Sequence, residues 1–217
     1  MPFFFAEREG DHALIRGADA RHLTQSLRVR VGEEIQVVDP SGYLLTIRVD
    51  SVSPSLVSGI VLSAEEHRPE PTRNVVVAVA HLPAAALDLV LSRCTEVGAS
   101  AFHIVQAERS IARGSRPERW REICREAAML AGRLRVPEVL GPSPLEEVVR
   151  LHPNPVMLVR GADRRTPHDG EITLFIGPEG GWSDRELAMV PTHASLGPRN
   201  LRAETAAIVA TAIAVGL

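Results

Sequence analysis

The spacing of hydrophobic residues changes at Glu65–Arg73, a polar segment that contains two prolines. Before it the apolar runs are short and bounded by turn-forming residues, and they predict strands at Ile35–Asp39, Tyr43–Val49 and Leu56–Leu62. Pro40–Gly42, between the first two strands, predicts a hairpin turn. Only Ala18–Val29 has helical spacing, with Leu23 and Leu27 four residues apart. This part of the chain is therefore predicted to be a small β-barrel with one helix.

Beyond that segment, strands alternate with helices. The predicted strands are Val75–Ala80, Phe102–Val105, Val156–Val159, Ile172–Ile176 and a short one at Ala194–Leu196. The predicted helices are Ala84–Val97, Pro117–Ala131, a short one around Leu187, and Ala203–Val215, and Gly98 and Gly132 end the first two. Strands that are apolar throughout indicate a parallel sheet covered on both faces, so the predicted fold class is α/β.

Composition agrees with an ordinary globular protein, since 45% of the 217 residues are hydrophobic and 24% are charged. Cys94 and Cys124 are far apart and form no Cys-x-x-Cys pair, so we expect reduced thiols. The N-terminus has no basic lead-in to a signal peptide, and the apolar end Ala206–Leu217 is shorter than the roughly 20 residues of a membrane span. We expect a soluble, cytoplasmic protein.

Positive charge is concentrated in two stretches, although the net charge of the chain is −3. Four arginines against Asp19 lie between His12 and Arg30, and eight arginines against four glutamates lie between Glu108 and Arg135. Every basic residue is arginine, which binds phosphate through two parallel hydrogen bonds. The two stretches are either solvated faces or surfaces that dock on a structured polyanion.

Gly177–Gly181 follows the predicted strand Ile172–Ile176, and Ser183 and Glu186 then have the spacing of a capping box that starts a helix. Ligands of parallel α/β sheets bind at the carboxyl ends of strands, where glycine lets the backbone approach them closely. The segment matches neither a P-loop nor a dinucleotide fingerprint. By itself it indicates either a tight turn or part of a binding site.

A second Gly-Pro loop, Gly197-Pro198, also leads from a strand into a helix. Arg202, Glu204 and Thr205 are polar residues at the start of that otherwise apolar helix. Glu204 either stabilises the helix N-terminus or takes part in chemistry. The presence of two such loops at the ends of strands favours the interpretation that they form two walls of one pocket. The chain has no zinc-protease motif, no nucleophile elbow and no metal-spaced cysteines, so we expect no metal.

Gly177–Gly181 followed by Leu196–Ala206 resembles the signature of the RsmE family, the 16S ribosomal RNA uridine-N3 methyltransferases of the SPOUT superfamily. The resemblance extends to His22–Glu33, Thr95–Ala99, Glu108–Ser110, Arg119–Trp120 with Glu126–Ala128, and Gly132–Val139. It implies a PUA-like RNA-binding β-barrel over residues 1–68 and a SPOUT domain over residues 73–217, with a trefoil knot over roughly 155–217. It also implies a homodimer that acts on 16S rRNA in the 30S subunit, usually at the decoding centre, with neither DNA nor a membrane as a partner.

The implied cofactor is S-adenosylmethionine. The residues that would bind it are Leu158, Val159, Arg160, Gly161, Ile176, Gly177, Pro178, Gly180, Gly181, Leu196, Gly197, Asn200, Leu201 and Arg202. Arg202 is the candidate for stabilising the uridine anion, and Glu204 or Glu179 for orienting it or accepting its proton. The candidate RNA contacts are Arg16, Arg21, His22, Arg28, Arg30, Arg109 and Arg133.

Three segments depart from the family pattern: Leu82–Ala86, Met129–Ala131 and Arg160–Ala162. They lie on the side expected for the substrate and leave the cofactor loops intact. Two alternatives therefore stay open, a SPOUT enzyme with another RNA target and a non-catalytic RNA-binding or ribosome-assembly protein that keeps the fold.

Overall fold

The computed structural model describes residues 2–163 and 170–217. The chain forms two compact units. The N-terminal unit consists of Met1–Glu70 and Ala128–Arg135, and the C-terminal unit consists of Pro71–Ala127 and Val136–Leu217. The short segment Ala128–Arg135 thus joins the N-terminal unit although it follows part of the C-terminal unit in sequence.

The N-terminal unit contains a six-stranded sheet. Its strands are β1 (Phe4–Phe5), β2 (Glu7–Glu9), β3 (His12–Arg16), β4 (Glu34–Asp39), β5 (Tyr43–Val52) and β6 (Leu56–Glu66). They lie in the order β1-β4-β5-β6-β3-β2, with β1 parallel to β4 and all other pairs antiparallel. The two outermost strands, β1 and β2, are separated in sequence by Ala6 alone, so the sheet is curled until its edges are neighbours along the chain.

Alternating side chains fill the inside of this curled sheet. On β5, Leu45, Ile47 and Val49 are buried while the residues between them are more exposed. The predicted hairpin is confirmed, because Asp39 pairs with Tyr43 across the turn and Gly42 adopts a positive φ of 113°. The sequence pattern missed β1, β2 and β3, which are two, three and five residues long.

The helical segment of the N-terminal unit is shorter than predicted. Helix α1 (Gly17–Arg21) continues as a π-helical turn, His22–Ser26, instead of reaching Val29. The N–H of Val29 donates to the Leu23 carbonyl, and Arg28 has a φ of 55°, so the chain has left the helix by then. Leu23 is buried, but Leu27 lies on the surface.

The C-terminal unit is built on a second six-stranded sheet. Its strands are β7 (Val75–Ala80), β8 (Ala101–Gln106), β9 (Glu138–Pro144), β10 (Pro155–Leu158), β11 (Ile172–Ile176) and β12 (His193–Ala194). They lie in the order β12-β10-β11-β7-β8-β9, and every pair is parallel, as the apolar strands predicted. The sequence pattern missed β9 and placed the last short strand one to two residues too late.

Among the described residues, five helices accompany this sheet: α2 (Ala84–Val97), α3 (Pro117–Leu130), α4 (Leu145–Leu151), α5 (Asp184–Met189) and α6 (Ala203–Val215). Gly98 ends α2 with a φ of 121°, as predicted. Helix α6 packs on α2 and on the strands β7 and β11. Every residue of these two strands is buried. Helix α4 was not predicted. Within the described residues, no helix has the length and apolar character needed to cross a membrane.

The strand order determines where a site can form. After β9 the chain crosses the sheet to β10, returns to β11 and then passes over β10 to reach β12. Because β10, β11 and β12 are parallel, their carboxyl ends meet at one edge of the sheet. The loops that leave these three strands therefore converge there, at the position where open α/β sheets bind ligands.

Candidate functional site

A cavity of about 560 Å³ lies at this edge, within the C-terminal unit. Its lining residues come from three loops: Leu158–Arg160 after β10, Ile176–Trp182 after β11, and a stretch from Ala194 to Ala206 that leads from β12 into α6. The volume falls in the range of small-molecule and cofactor sites.

The loop after β11 needs its glycines for two reasons. Gly181 has a φ of 70°, and its N–H closes a tight turn on the Pro178 carbonyl at 2.8 Å. At Gly177 an added Cβ would lie 3.0 Å from the indole nitrogen of Trp182, which packs against the backbone there. This glycine lets a large aromatic side chain form part of the cavity wall.

Helix α5 fixes the end of the same loop. The predicted capping box is confirmed, because Ser183 Oγ accepts from the Glu186 N–H at 3.2 Å and Glu186 Oε2 accepts from the Ser183 N–H at 2.8 Å. The second carboxylate oxygen of the buried Glu186 accepts from the N–H of Glu108 at 2.8 Å. Glu186 therefore ties the loop after β8 to the loop after β11.

Arg109 makes a second connection between these two loops. Its Nη1 donates to the carbonyls of Gly180 at 2.8 Å and of Trp182 at 3.2 Å. Its aliphatic stem lies 3.4 Å from the position that a Gly180 Cβ would take. Arg109, predicted as an RNA contact, thus also stabilises the cavity wall.

The loop between β12 and α6 is held by local hydrogen bonds. Ser195 Oγ accepts from the Gly197 N–H at 3.2 Å and donates to the Gly197 carbonyl at 3.3 Å. Gly197 has a φ of 111°, which favours glycine. Arg202 then starts α6, and Ala203 and Ala206 at the beginning of that helix line the cavity.

The structure brings together nearly all of the predicted cofactor residues. Gly161 is the exception, because it is not among the residues that line the cavity. The lining residues that sequence reasoning missed are Trp182, Ala194, Ser195, Arg199, Ala203 and Ala206. Ala203 and Ala206 read as core residues of an apolar helix, and Trp182 as a single aromatic beside the glycines, so their only signal was adjacency to the predicted residues.

The three candidate catalytic residues occupy different positions. Arg202 and Glu179 line the cavity, and both side chains are exposed at its rim. Glu204 does not line it, but its largely buried carboxylate lies 3.9 Å from the Arg202 guanidinium. Glu204 is thus placed to orient Arg202 through a weak ion pair.

The predicted RNA contacts of the N-terminal unit differ in availability. Arg21, Arg28 and Arg30 are exposed, and no ion pair involves them within the described part of the chain. Arg16 is exposed but paired with Glu7 and Glu9 at 3.3 Å each. The exposed ring of His22 lies edge-on to the buried Phe4, with centroids 5.6 Å apart.

Arg133 corrects a prediction. It is 3% exposed, and its guanidinium donates to both carboxylate oxygens of Glu70, the shortest contact being 2.5 Å. Burial raises the pKa of Glu70, but the hydrogen bonds from Arg133 and the Leu134 N–H outweigh it and the pKa is lowered. A phosphate cannot reach a guanidinium held in this way, so Arg133 is a structural residue of the N-terminal unit.

Residues 2–163 and 170–217 contain neither a cluster of potential metal ligands nor an exposed cysteine. No three histidine, cysteine, aspartate or glutamate side chains cluster there as metal ligands would. Cys94 and Cys124 are both buried and unbridged. Burial raises the pKa of Cys94 to about 12, which keeps its thiol protonated and unreactive.

Known proteins match the chain over most of its length. A family model described as an RNA methyltransferase domain matches residues 68–215, and another, described as an RNA methyltransferase PUA domain, matches residues 15–58. The ribosomal RNA small subunit methyltransferase E of Mycobacterium tuberculosis is 32% identical over an alignment of 226 positions, which covers 93% of this chain and 85% of that protein. The protein of the same name from Bacillus subtilis is 27% identical, covering 90% and 86%.

A solved structure is similar over both units. The crystal structure of a ribosomal RNA small subunit methyltransferase E from Neisseria gonorrhoeae, bound to S-adenosylmethionine, superposes with a TM-score of 0.83 at 30% identity. The match covers 98% of this chain and 95% of that one.

Proposed function

This chain belongs to the RNA methyltransferase family that includes the ribosomal RNA small subunit methyltransferases E, and from that premise we propose that it methylates N3 of a uridine in 16S rRNA with S-adenosylmethionine as the methyl donor. The observation that carries the proposal is the cavity formed by the loops after β10, β11 and β12. A relative that superposes over nearly the whole chain binds S-adenosylmethionine.

The cavity fits this cofactor in the chemistry of its walls. Leu158, Leu196 and Leu201 supply apolar surface for an adenine ring, and the glycine-containing loops expose main-chain donors and acceptors that can bind its edge. At Gly181 and Gly197, apart from the adjacent residues, no atom of the described residues lies within 4 Å of the position that a Cβ would take. When bound, the cofactor supplies an electrophilic methyl group on a sulfonium, so the protein has to provide alignment and a deprotonated acceptor.

Arg202 stabilises the acceptor in this proposal. The N3–H of uridine is weakly acidic, and a cation at the rim of the cavity lowers the cost of forming the imide anion. Glu204 holds the guanidinium of Arg202 from the protein side, 3.9 Å away. Glu179, which lines the cavity and is exposed, and Glu204, which contacts Arg202 from outside the cavity, are the two candidate proton acceptors.

The N-terminal unit binds the RNA in this proposal. It contains the segment that matches an RNA methyltransferase PUA domain, and Arg21, Arg28 and Arg30 offer guanidinium groups without a carboxylate partner in the described chain. Phosphate contacts of this kind orient a protein on RNA without reading its sequence. We propose the decoding centre of the 30S subunit as the target, in the cytoplasm.

The C-terminal unit is further proposed to be knotted over roughly residues 155–217 and to form a homodimer. Between β11 and β12 the chain crosses β10, and α6 then packs back on the sheet. This path is compatible with a knot. For the dimer, Val209 and Ile213 are exposed apolar residues one turn apart on α6, and the exposed Leu217 follows the end of that helix. Leu89, on the helix against which α6 packs, is exposed as well.

Incubation with labelled S-adenosylmethionine and unmodified 30S subunits, followed by mass spectrometry of the rRNA, tests the function. We expect 3-methyluridine at one position of 16S rRNA. Cofactor binding without any methylated RNA would instead support a non-catalytic RNA-binding protein. A methyl group on another nucleotide or another RNA would keep the enzyme class and replace the target.

A further inference from the structure

The loop of residues 107–116, between β8 and α3, is bonded at its start to the wall of the cavity. It leaves the carboxyl end of β8, which is parallel to the strands whose loops form the cavity. Glu108 donates its N–H to Glu186, and Arg109 donates to the carbonyls of Gly180 and Trp182, two residues of the cavity wall. The start of the loop is therefore part of the same rigid edge as the cofactor site.

Ile111 is the exposed apolar residue of this loop. Its neighbour Ser110 is buried, and the Ser110 N–H donates to the Ala107 carbonyl at 3.0 Å. With the chain held at that point, the Ile111 side chain is 81% exposed. Consecutive Cα atoms are about 3.8 Å apart, so the Cα of Ile111 lies within about 8 Å of the Cα of Arg109. A large aliphatic group therefore projects into solvent two residues after an arginine that contacts the cavity wall.

Two arginines flank Ile111 on its carboxyl side. Arg113 donates to the carbonyls of Ser110 and Ala112, which positions the guanidinium without neutralising it. Arg116 is exposed, and in the described chain no carboxylate pairs with either arginine. An apolar side chain followed by two uncompensated guanidinium groups is complementary to RNA, which presents base faces beside phosphates.

The reaction itself requires a displaced base. N3 lies on the Watson–Crick edge of uridine, so a base that is stacked or paired in the ribosome has to leave its place before N3 can approach a cofactor. Leaving a stack costs a few kcal/mol unless another group fills the space. Proteins that open base steps frequently insert an apolar side chain between the bases.

We propose that Ile111 enters the RNA and fills the space vacated by the target uridine, while Arg113 and Arg116 bind the flanking phosphates. The inference rests on the proposed function, because it concerns how the substrate of that same site is presented. It assigns the loop 107–116 to substrate opening, separate from the binding of the cofactor and from the docking of the N-terminal unit.

The proposal is tested by comparing the single-turnover methylation of 30S subunits by the Ile111→Ala variant and by the wild-type protein. We expect the rate at saturating RNA to fall by about tenfold or more, since the energy of filling the stack is lost, while the Kd for S-adenosylmethionine stays within about twofold. Ile111→Met should retain most of the rate. Arg113→Ala and Arg116→Ala should instead raise the Kd for the subunit, with a shallower salt dependence.

The matched control is Leu151→Ala, which also removes an exposed aliphatic side chain, 59% exposed, but just before the amino end of β10 and away from the cavity edge. It should behave as wild type. If Ile111→Ala also behaves as wild type, or if it weakens the cofactor as much as the methyl transfer, the proposal is wrong. If the wild-type protein methylates no RNA, the proposed function itself fails, and that result is visible before any variant is compared.

A second readout follows the RNA directly. In 16S rRNA carrying 2-aminopurine next to the target uridine, binding of the wild-type protein should increase the fluorescence as the neighbouring stack opens. Ile111→Ala should give a smaller increase at equal occupancy. An equal increase would show that the base opens without Ile111 and would overturn its role.

Discussion

The two sheets of this protein use burial in opposite ways. In the N-terminal unit, strand β5 alternates between core residues such as Leu45 and Ile47 and exposed ones, so each strand keeps one face for solvent. In the C-terminal unit, β7 and β11 bury every residue. Polar groups that must meet a ligand are therefore found mainly in the loops at the carboxyl edge of the second sheet.

This difference indicates how each unit should respond to substitution. Charged groups in the N-terminal unit are distributed over a surface, so the loss of one should change RNA binding slightly. The C-terminal unit concentrates its function in a few loop residues, so one substitution there should have a large effect. Each unit also contains an exception, namely a charged or titratable group that is buried.

The largest effect is expected at the exception in the N-terminal unit, the buried ion pair of Arg133 and Glu70. Arg133→Leu leaves the Glu70 carboxylate buried without its main partner, and we expect a loss of about 3–5 kcal/mol in the free energy of unfolding. Urea denaturation measures it. Arg135→Leu is the control, because Arg135 is exposed and lies 3.5 Å from Glu70, and should cost less than about 1 kcal/mol. Equal losses would refute the assignment.

The exception in the C-terminal unit is His103 on β8, whose Nδ1 lies 2.9 Å from His152 Nε2. Burial, and to a smaller extent the charge of His152, lowers the pKa of His103 to about 4. Between about pH 6.5 and pH 4, His103 is protonated in the unfolded chain but neutral in the folded protein. Stability should therefore fall by about 3 kcal/mol as the pH drops from about 6.5 to 4, with no further contribution from His103 below that.

Unfolding midpoints in urea across this pH range check the His103 prediction. His103→Leu should flatten the pH dependence. His152→Gln should keep most of it, because burial is the main cause of the shift. An unchanged slope in His103→Leu would assign the acid sensitivity to other groups.

Arg202→Ala measures how strongly function is concentrated at the cavity rim. Loss of the cation should lower the methyl-transfer rate by about a hundredfold, or about 2.7 kcal/mol, while the affinity for S-adenosylmethionine changes little. Single-turnover kinetics and calorimetric titration separate the two quantities. Arg202→Lys, which keeps the charge, should recover part of the rate. Normal turnover in the alanine variant would remove Arg202 from the mechanism.

The smallest effect is expected for Arg28→Ala in the N-terminal unit. One phosphate contact among several should weaken binding to the 30S subunit by less than about tenfold and reduce the slope of log K against log salt by about 1. Arg48→Ala is the control, since it removes the same charge from a guanidinium that lies 3.7 Å from the carboxylate of Glu34 and is therefore less available to a phosphate. A loss beyond a hundredfold for Arg28→Ala would mean that the N-terminal unit also concentrates its function.

The sequence predicted those features that leave a local signal, either a regular spacing of apolar residues or a short motif. The apolar strands, the helices that follow them, the capping box of Ser183 and Glu186 and the turn at Gly42 all appear in the structure. Strand β9 was missed because Gly141, Pro142 and Pro144 resemble a loop, and the charged strand β2 was missed because it has no apolar face.

Other features depend on contacts between distant residues and have no local signal. The order β12-β10-β11 cannot be predicted from hydrophobic spacing, and it is this order that brings the three loops together. Arg133 was predicted as an RNA contact because the sequence does not reveal a partner such as Glu70, which is far away along the chain. Trp182 was missed because a single aromatic residue after two glycines has no periodicity.

The short outer strands of both sheets also affect how copies of the protein meet each other. An exposed strand edge offers unpaired N–H and C=O groups on which another chain can add, and this is a route to aggregation. Here β1, β2 and β12 are two or three residues long, β2 is the charged sequence Glu-Arg-Glu, and β9 contains prolines that lack a donor. The protein can thus present two six-stranded sheets in solution while giving intermolecular β-pairing little on which to begin.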